Sequence, residues 1–377
     1  MKTYNGLFEK IVDEKNIQKA ILKASLGKRK KSSVRRTLSH LTEVAHDLSE
    51  QLKNGTWRPL DIHQTTQIND GVELKKRYIV CPNFAREQCV HHAIMNICEP
   101  LFRKKFYKYS CGSVKGRGGD QAKKYIAKII RKYPAKTKYV AKLDIKKFFH
   151  NVKPSYVFHE IRRTIRDKRV LWLFALILRA NKQIIDGVTV KGGIPIGFYT
   201  SPIFANILLN ALDHYIKEVL GVEFYVRYMD DIVMFSPNKR KLKKACLAIQ
   251  GYIEARKMKL KPTWQIHRFK SVNFIGYQFK RGGQVRLRDR VFLKSIRLIR
   301  RVSRKTKLTI YDCLRVLSYM GRFKAAHTYA AFKLHISPYV NIRELRKRVS
   351  RHDKKLNQLE KERKANAIQE SGKPATA

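Results

Sequence analysis

The chain has 377 residues, 44% of them hydrophobic and 10% aromatic, which excludes a wholly disordered basic tail and predicts a large folded core. Lys and Arg total 82 against 29 Asp and Glu, and the resulting net charge of +53 favours nucleic acid over an acidic membrane surface as partner. No apolar run approaches the roughly 18 residues of a membrane-spanning helix, and no signal-peptide core is present, so we expect a cytoplasmic protein with no membrane partner.

The N-terminal third predicts helices followed by a short β region. Residues 1 to about 60 favour helices, interrupted by a basic stretch around 28–36. Residues 64–76 predict strands that turn at Asn69-Asp70-Gly71. A helix pattern then covers 84–102 and closes near Pro100.

The six cysteines show no C-x-x-C pair, so we expect buried thiols in place of disulfides or a zinc site. Cys89, His91 and His92 lie on one predicted helix and are conceivable zinc ligands. Adjacent histidines project from different sides of a helix, however, and no second pair of ligands has suitable spacing.

In the middle of the chain the sequence predicts loops and helices on both sides of one strand. The predicted elements are a Gly-rich basic loop at 109–119, a helix at 121–131, a strand from 138 that runs into 149, helical structure at 155–180, a glycine-bearing loop at 192–200 and a helix at 201–219.

Two apolar strand-like pieces between Phe224 and Phe235 flank the adjacent carboxylates Asp230 and Asp231. Carboxylates at the turn of an otherwise apolar hairpin are costly unless cations neutralise them. The alternative is a solvent-exposed hairpin tip, which the Asp-Asp pair alone does not exclude.

The C-terminal part predicts a helix at 239–257, a hairpin over 272–287 that turns at 281–283, and basic helices beyond about 290. In the first of these basic helices, Phe292, Ile296 and Ile299 recur at helical spacing and should face a core. The cations Lys294, Arg297, Arg300 and Arg301 should face outwards, towards phosphates or towards solvent.

A second apolar strand also ends in a carboxylate, at Asp144. Two strands that bring carboxylates to one edge of a sheet can hold two divalent cations about 4 Å apart. Magnesium prefers carboxylate and phosphate oxygens as ligands. The alternative is that Asp144 caps a helix.

Six segments, in their order along the chain, resemble the motifs of bacterial reverse transcriptases between about residues 70 and 290. They are Arg77–Pro82, Tyr109–Gly118, Asp144–Phe149, Gly193–Pro202, Tyr228–Asp231 and Asn273–Tyr277.

The resemblance implies an α+β right-hand polymerase that makes cDNA on an RNA template from dNTPs. Its expected parts are an N-terminal extension with fingers (1–137), a palm of antiparallel sheet backed by helices (138–287), a helical thumb (288–364) and a disordered tail (365–377). The implied catalytic residues are Asp144, Asp230 and Asp231, which together with the Ile145 carbonyl would hold two Mg²⁺, with Mn²⁺ as an alternative.

The resemblance also implies two sets of binding residues, for each of which core packing or a solvated surface is the alternative. The nucleotide-binding set contains Lys75, Lys76, Arg77, Lys115, Arg117, Ile196, Gly197 and Phe149, the last as an aromatic gate against the ribose 2′-hydroxyl. The primer- and template-binding set contains Tyr228, Phe274, Gly276, Tyr277, Arg297, Arg300 and Arg301.

The subfamily follows less directly from the motifs. Ile196 stands where most of the family carries Gln, which resembles the error-prone enzymes of diversity-generating retroelements. Ser201-Pro202 replaces their Ser-Gln, and Val114 stands where they tend to place Arg. A defence-associated enzyme with non-templated or protein-primed synthesis is the alternative, and an RNA-binding scaffold is the non-enzymatic one. Expected partners are a structured noncoding RNA and an accessory protein.

Overall fold

The structure, a computed structural model, describes residues 3–69 and 76–371, with the side chains of the last helix described as far as residue 355. It confirms the expected α+β class, with helices surrounding mainly antiparallel sheets. Two compact units divide the chain, at residues 1–272 and 273–377. No helix in the described ranges is long and apolar enough to cross a membrane.

The first unit contains eleven α-helices within the described residues. They are α1 (Phe8–Val12), α2 (Glu14–Ser25), α3 (Ser32–Ser39), α4 (Leu41–Lys53), α5 (Cys89–Arg103), α6 (Gly119–Lys132), α7 (Phe148–Asn151), α8 (Pro154–Arg162), α9 (Lys168–Arg179), α10 (Ser201–His214) and α11 (Lys239–Glu254). A π-helical turn at Phe84–Gln88 runs into α5, and a second one at Tyr215–Val219 extends α10.

Two four-stranded sheets belong to this unit. Their strands are β1 (Ile62–Asn69), β2 (Lys76–Val80), β4 (Lys182–Ile185) and β5 (Val188–Lys191) in one sheet, and β3 (Tyr139–Asp144), β6 (Phe224–Tyr228), β7 (Asp231–Ser236) and β8 (Ile266–Arg268) in the other. The strand orders are β2-β1-β4-β5 and β6-β7-β3-β8.

The β6-β7-β3 part of the β6-β7-β3-β8 sheet is largely buried because these strands are mostly apolar, whereas the edge strand β8 is partly exposed. In β7, the residues Ile232 to Phe235 are all at most 1% exposed. One hydrophobic cluster joins this sheet to the helices of the first unit. The buried sheet is therefore a rigid base for polar groups at the ends of its strands.

Over residues 273–371, which the structure describes, the second unit contains a hairpin and four helices. Its elements are β10 (Tyr277–Lys280), β11 (Val285–Leu287), α12 (Asp289–Ser303), α13 (Ile310–Lys324), α14 (Tyr329–His335) and α15 (Ile342–Ser371), while β9 (Ser271–Phe274) runs across the boundary between the units. The β10–β11 hairpin turns over residues 281–284, as the sequence predicted.

The helix predicted over 84–102 ends within one residue of its expected position, at Arg103. Two other features differ from the sequence expectations. The β4–β5 hairpin, which turns at Asp186-Gly187, was not expected. The backbone of α15 is helical past residue 365, where the sequence predicted disorder; the Ala, Glu and Gln there are good helix formers.

The cysteines are unpaired, and five of the six are buried as expected, whereas Cys81 is exposed. His91 and His92 are also buried, on α5. Among the described residues, no group of three or more His, Cys, Asp or Glu side chains is arranged to hold a metal ion.

Candidate active site

The β3 and β7 strands bring two of the expected catalytic carboxylates to one place. The strands pair antiparallel, and Asp144, the last residue of β3, is in register with Asp231, the first residue of β7. Residues directly opposite each other in an antiparallel pair have Cβ atoms about 4.5–5.5 Å apart. The two carboxylates, 87 positions apart in the sequence, therefore share one end of the buried sheet.

Asp230 lies beside this pair, in the turn between β6 and β7. Tyr228 pairs with Asp231, so Met229 and Asp230 form a two-residue turn. Met229 has a φ of 54°, a left-handed conformation that a side chain seldom adopts. The turn thus holds a strained backbone next to two acidic residues, as is common at functional sites.

Two lysines approach the aspartates. Lys261 Nζ forms an ion pair with Asp144 Oδ2, and Lys142 Nζ lies 3.5 Å from Asp231 Oδ1, at the outer limit of a hydrogen bond. Lys142 is two residues before Asp144 on β3, so both side chains project from the same face of the sheet. The lysines reduce the repulsion between the carboxylates without enclosing them.

The negative charges of Asp230 and Asp231 remain unfavourable in spite of these lysines. Burial raises the pKa of Asp230 to about 6, and the negative charges of Asp144 and Asp231 act in the same direction. Burial also raises the pKa of Asp231, although Lys142 opposes the shift. Such shifts are typical of functional carboxylates.

The donor set fits a divalent cation, although it is not a preformed cluster of three ligands. Asp144 Oδ1 is buried and has no hydrogen-bond partner among the described residues. Such an oxygen is costly unless it binds a proton or a metal ion. Carboxylate oxygens are the ligands that magnesium prefers. The expected metal ligation by Asp144, Asp230 and Asp231 stays a prediction.

The Ile145 carbonyl, the fourth expected ligand, lies in a segment whose backbone is hydrogen-bonded to residues 259–261. Lys146 N donates to Lys259 O, and Lys261 N donates to Asp144 O, at 2.8 Å each. These two bonds use the carbonyl of Asp144 and not that of Ile145. The two hydrogen bonds place Lys261 beside the aspartates.

Arg227 supports the turn at Met229-Asp230 through buried hydrogen bonds. Its buried guanidinium forms two bonds with Asp213, at 2.7 and 2.6 Å, and also donates to Asn206 Oδ1 at 3.0 Å and to the Met229 carbonyl at 2.9 Å. Removing one partner of a buried ion pair costs about 3–5 kcal/mol. The Asp213–Arg227 pair therefore holds the strained turn in one conformation.

The segment 109–112, expected to be part of a basic fingers loop, packs against this turn. Cys111 N donates to Arg227 O at 2.8 Å, and Arg227 N donates to Tyr109 O at 3.1 Å. A Cβ added to Gly112 would lie 2.5 Å from Met229 N, closer than side chains approach. The segment is thus a short parallel extension of β6 that buttresses the turn.

The loop at 192–200 is bonded to the segment that follows Asp144. Ile194 N donates to Phe149 O at 2.7 Å, and a Cβ added to Gly193 would lie 2.2 Å from the same oxygen. Phe149 is half-buried, with its ring against Phe148. The backbone of Phe149, the expected gate residue, is therefore held by the segment Gly193–Pro202.

Ile196 and Gly197 contact β2. Val80 N donates to Ile196 O at 2.6 Å, and a Cβ added to Gly197 would lie 2.2 Å from Val80 O. Gly197 has a φ of 124°. The space that this glycine leaves is filled by the backbone of Val80 in β2, in contrast with the nucleotide-binding role expected for Gly197.

The expected triphosphate-binding residues do not form one group. Lys75 lies outside the described residues. Lys76 and Arg77 are exposed on β2, and Lys115 is exposed in the loop before α6. The Arg117 guanidinium donates to the backbone carbonyls of Tyr107 and Ser110, at 2.5 and 3.3 Å. Arg117 is thus a scaffold for its own loop, in contrast with its expected role.

The expected primer- and template-binding residues are mostly in the second unit. There Phe274 is 1% and Tyr277 8% exposed, so both side chains pack into a core and are not offered to a ligand. Gly276 lies in the β9–β10 turn with a φ of 84°. On α12, residues 297, 300 and 301 are exposed arginines, while Ile296 and Ile299 are buried as predicted. Tyr228 is half-buried in the first unit.

Sequence reasoning missed Lys142, Lys261 and Arg227. A signal existed for Lys142, which shares a strand face with Asp144, and for Arg227, a charge inside an apolar strand. No local signal pointed to Lys261, because its contact with Asp144 joins residues 117 positions apart.

Comparison with known families gives one match that covers most of the chain. Residues 28–279 match the sequence model of the reverse transcriptase (RNA-dependent DNA polymerase) family. This range is about two thirds of the chain and contains Asp144, Asp230 and Asp231.

Individual relatives are distant. The chain is 24% identical to protein YkfC of Escherichia coli K12 over 45% of each chain. It is 32% identical to the retron Ec73 reverse transcriptase of Escherichia coli over 26% of this chain and 33% of the relative. The solved structure of apo telomerase from Candida tropicalis aligns at 11% identity and a TM-score of 0.47, over 74% of this chain and 56% of that one. The chain covers less than half the length of these two curated relatives.

Proposed function

Since the chain belongs to the reverse transcriptase (RNA-dependent DNA polymerase) family, we propose that it synthesises DNA on an RNA template from deoxynucleoside triphosphates. The observation that carries the proposal is the register of Asp144 with Asp231, next to Asp230 in the turn. Templated phosphoryl transfer needs carboxylates grouped in this way.

In this proposal, Asp144, Asp230 and Asp231 hold a pair of Mg²⁺ ions, for which Mn²⁺ is an alternative. Bound there, the ions would activate the primer 3′-hydroxyl and neutralise charge on the leaving pyrophosphate. The protein supplies a site whose carboxylates are already close and partly desolvated. Arg227 and the segment 109–112 keep the turn from relaxing, and Lys142 and Lys261 limit repulsion before cations bind.

The proposal also assigns roles to Phe149, to the three regions of the chain and to the arginines of α12. The Phe149 ring would exclude a ribose 2′-hydroxyl and so select deoxynucleotides. Residues 1–137, 138–287 and 288–364 would act as fingers, palm and thumb, and the exposed arginines of α12 would contact the phosphates of template and primer. A structured RNA and an accessory protein are the proposed partners.

We further propose that synthesis is error-prone. The half-buried Ile196 stands where a glutamine amide would form hydrogen bonds next to the nascent base pair. An aliphatic side chain cannot supply them, so mispaired nucleotides lose less binding energy relative to correct ones.

Primer extension on an RNA template tests the polymerase proposal. The purified chain should extend a DNA primer when Mg²⁺ and dNTPs are present. Asp230→Asn should lower the rate at least about 100-fold, because it removes a carboxylate that stabilises transition-state charge. Asp61→Asn, which changes an exposed carboxylate just before β1, is the matched control and should leave the rate unchanged.

Two outcomes would contradict the proposal. Equal extension by Asp230→Asn and the parent would exclude metal-dependent catalysis at this turn. Equal synthesis with and without template, found by sequencing the product, would favour the non-templated alternative instead.

A further inference from the structure

A cleft of about 860 Å³ lies in the first unit, and the three aspartates are not among the described residues that line it. Its walls come from the end of α5, the loop at 115–117 and the first turns of α6. Six of the twelve lining residues are Lys or Arg: Arg103, Lys104, Lys115, Arg117, Lys124 and Lys128.

The charge of this cleft is almost entirely positive. Among its described lining residues, Asp120 is the one carboxylate, and Lys123 already pairs with it at 3.2 Å. Lys104, Lys115, Lys124 and Lys128 are all exposed, so their charges point into solvent or towards a ligand. Cations from three separate segments around one cleft repel one another unless an anion lies between them.

Ring stacking and hydrogen bonds hold part of the cleft lining in place. The rings of Tyr109 and Tyr125 stack with centroids 3.5 Å apart and an interplanar angle of 18°. Arg117 is held by backbone carbonyls, as described above. On α6, Lys124 and Lys128 are four residues apart and lie on one face, while Ile126 and Ile130 are buried on the other. The cations are therefore presented by a scaffold that need not reorganise on binding.

We propose that this cleft binds the phosphodiester backbone of an RNA strand outside the polymerisation centre. Lysines act as point charges, which suits contact with phosphates and not with base edges. A strand carries evenly repeated charges and can contact cations on both sides of a cleft. The choice of RNA rests on the proposed function, since under it RNA is the nucleic acid present before synthesis begins.

RNA binding by the full chain tests this inference. The triple variant K104Q/K124Q/K128Q is compared with K239Q/K243Q/K244Q, which removes the same charge from exposed lysines of α11. Fluorescence anisotropy with a labelled single-stranded RNA, without primer or dNTPs, gives the dissociation constant at several salt concentrations. The thermal unfolding midpoint of each variant confirms folding.

The cleft variant should bind RNA about tenfold more weakly at 0.15 M salt, and the slope of log K against log salt should fall by about 2, since each lost phosphate contact removes about 0.7. The α11 variant should stay within about twofold of the parent. Equal losses in the two variants, or an unchanged slope in the cleft variant, would overturn the proposal.

Competition experiments distinguish RNA from the other polyanions that could bind in the cleft. Unlabelled RNA should displace the labelled strand at least as well as DNA of the same sequence, and polyglutamate should displace it poorly. More effective displacement by DNA or by polyglutamate would overturn the assignment to RNA. Asp230→Asn should keep full RNA binding, so failure of the cleft proposal and failure of the polymerase proposal give different results.

Discussion

Burial makes the negative charge of Asp230 unfavourable in the folded protein. The pKa of Asp230, raised by burial to about 6, means that the folded protein keeps a proton that the unfolded chain has already lost above pH 4. The stability contributed by protonation is therefore present at low pH and is lost as the pH rises through 6. Above pH 6 the ionised Asp230 therefore destabilises the folded protein when no cation is bound.

Asp230→Asn should accordingly stabilise the metal-free protein at pH 8 while abolishing synthesis. The unfolding midpoint in a chelator should rise by about 2 °C or more at pH 8, and the difference should shrink towards pH 4, where the native aspartate is protonated. Differential scanning calorimetry at both pH values provides the measurement. A variant less stable than the parent at pH 8 would contradict the electrostatic explanation.

Phe149 decides sugar selection if its ring is the proposed gate. Phe149→Ala should admit ribonucleotides, because the space beside the 2′-hydroxyl opens, whereas Phe149→Tyr should still exclude them. Single-nucleotide incorporation of dGTP and of rGTP gives the preference for dGTP over rGTP, which should fall at least about tenfold for the alanine variant. An alanine variant that still rejects ribonucleotides would assign the ring to core packing alone.

Ile196 provides the corresponding test of fidelity. Ile196→Gln should lower misincorporation, since an amide replaces an aliphatic group near the nascent pair, and Ile196→Leu should not. Sequencing of cDNA made on a defined RNA template gives the error spectrum of each. Indistinguishable spectra for the parent and the glutamine variant would remove the basis for an error-prone enzyme.

At the scale of elements, the turn of the hairpin β6–β7 depends on its contact with the segment 109–112, which itself contributes no carboxylate to the site. Gly112→Ala should push Met229 and with it Asp230, because the added methyl would lie 2.5 Å from a backbone nitrogen. We expect a loss of about 1–3 kcal/mol in unfolding free energy, as for other overpacked sites, and at least tenfold lower primer extension.

Gly251→Ala is the matched control for this change. Gly251 lies in α11, and a methyl group there would meet no described atom within 4 Å. Alanine in an open helical position should stabilise the protein by about 0.5–1 kcal/mol and leave extension unchanged. If Gly112→Ala behaves like this control, the segment 109–112 does not position the turn.

The sequence predicted some elements better than others for physical reasons. The hairpin β6–β7 was predictable because apolar runs flank a polar pair, and the strand ending in Asp144 because its apolar run stops at a charge. The β4–β5 hairpin was missed, although Asp186-Gly187 between two β-branched residues is a strong signal for a two-residue turn. Residues 365–371 were predicted to be disordered but are helical, because the sequence prediction did not weigh the helix propensity of their Ala, Gln and Glu residues.

Contacts between distant segments were the part that no local pattern could give. The pairing of Gly197 with Val80, the ion pair of Lys261 with Asp144 and the buttress at Gly112 all join elements far apart in the sequence. Gly197 and Arg117 were both expected to bind a nucleotide, but protein backbone fills the space at Gly197, and backbone carbonyls hold the guanidinium of Arg117.

At the scale of the whole molecule, a net charge of +53 coexists with a small acidic centre. The chain divides into a larger unit that carries all three aspartates and a smaller, basic helical unit. Within the larger unit, the acidic end of the sheet and the basic cleft have separate lining residues. This separation is what a protein needs if it is to hold cations at one place and a polyanion at another.

Cleavage by bound iron tests the central claim most directly. When Fe²⁺ replaces Mg²⁺ in the presence of ascorbate and peroxide, radicals formed at the metal cut the nearest backbone, and mass spectrometry locates the cuts. The paired aspartates predict cuts near residue 144 and near residues 230–231 together, both lost in Asp230→Asn. Cuts at one of these segments alone, or at neither, would contradict a shared metal site.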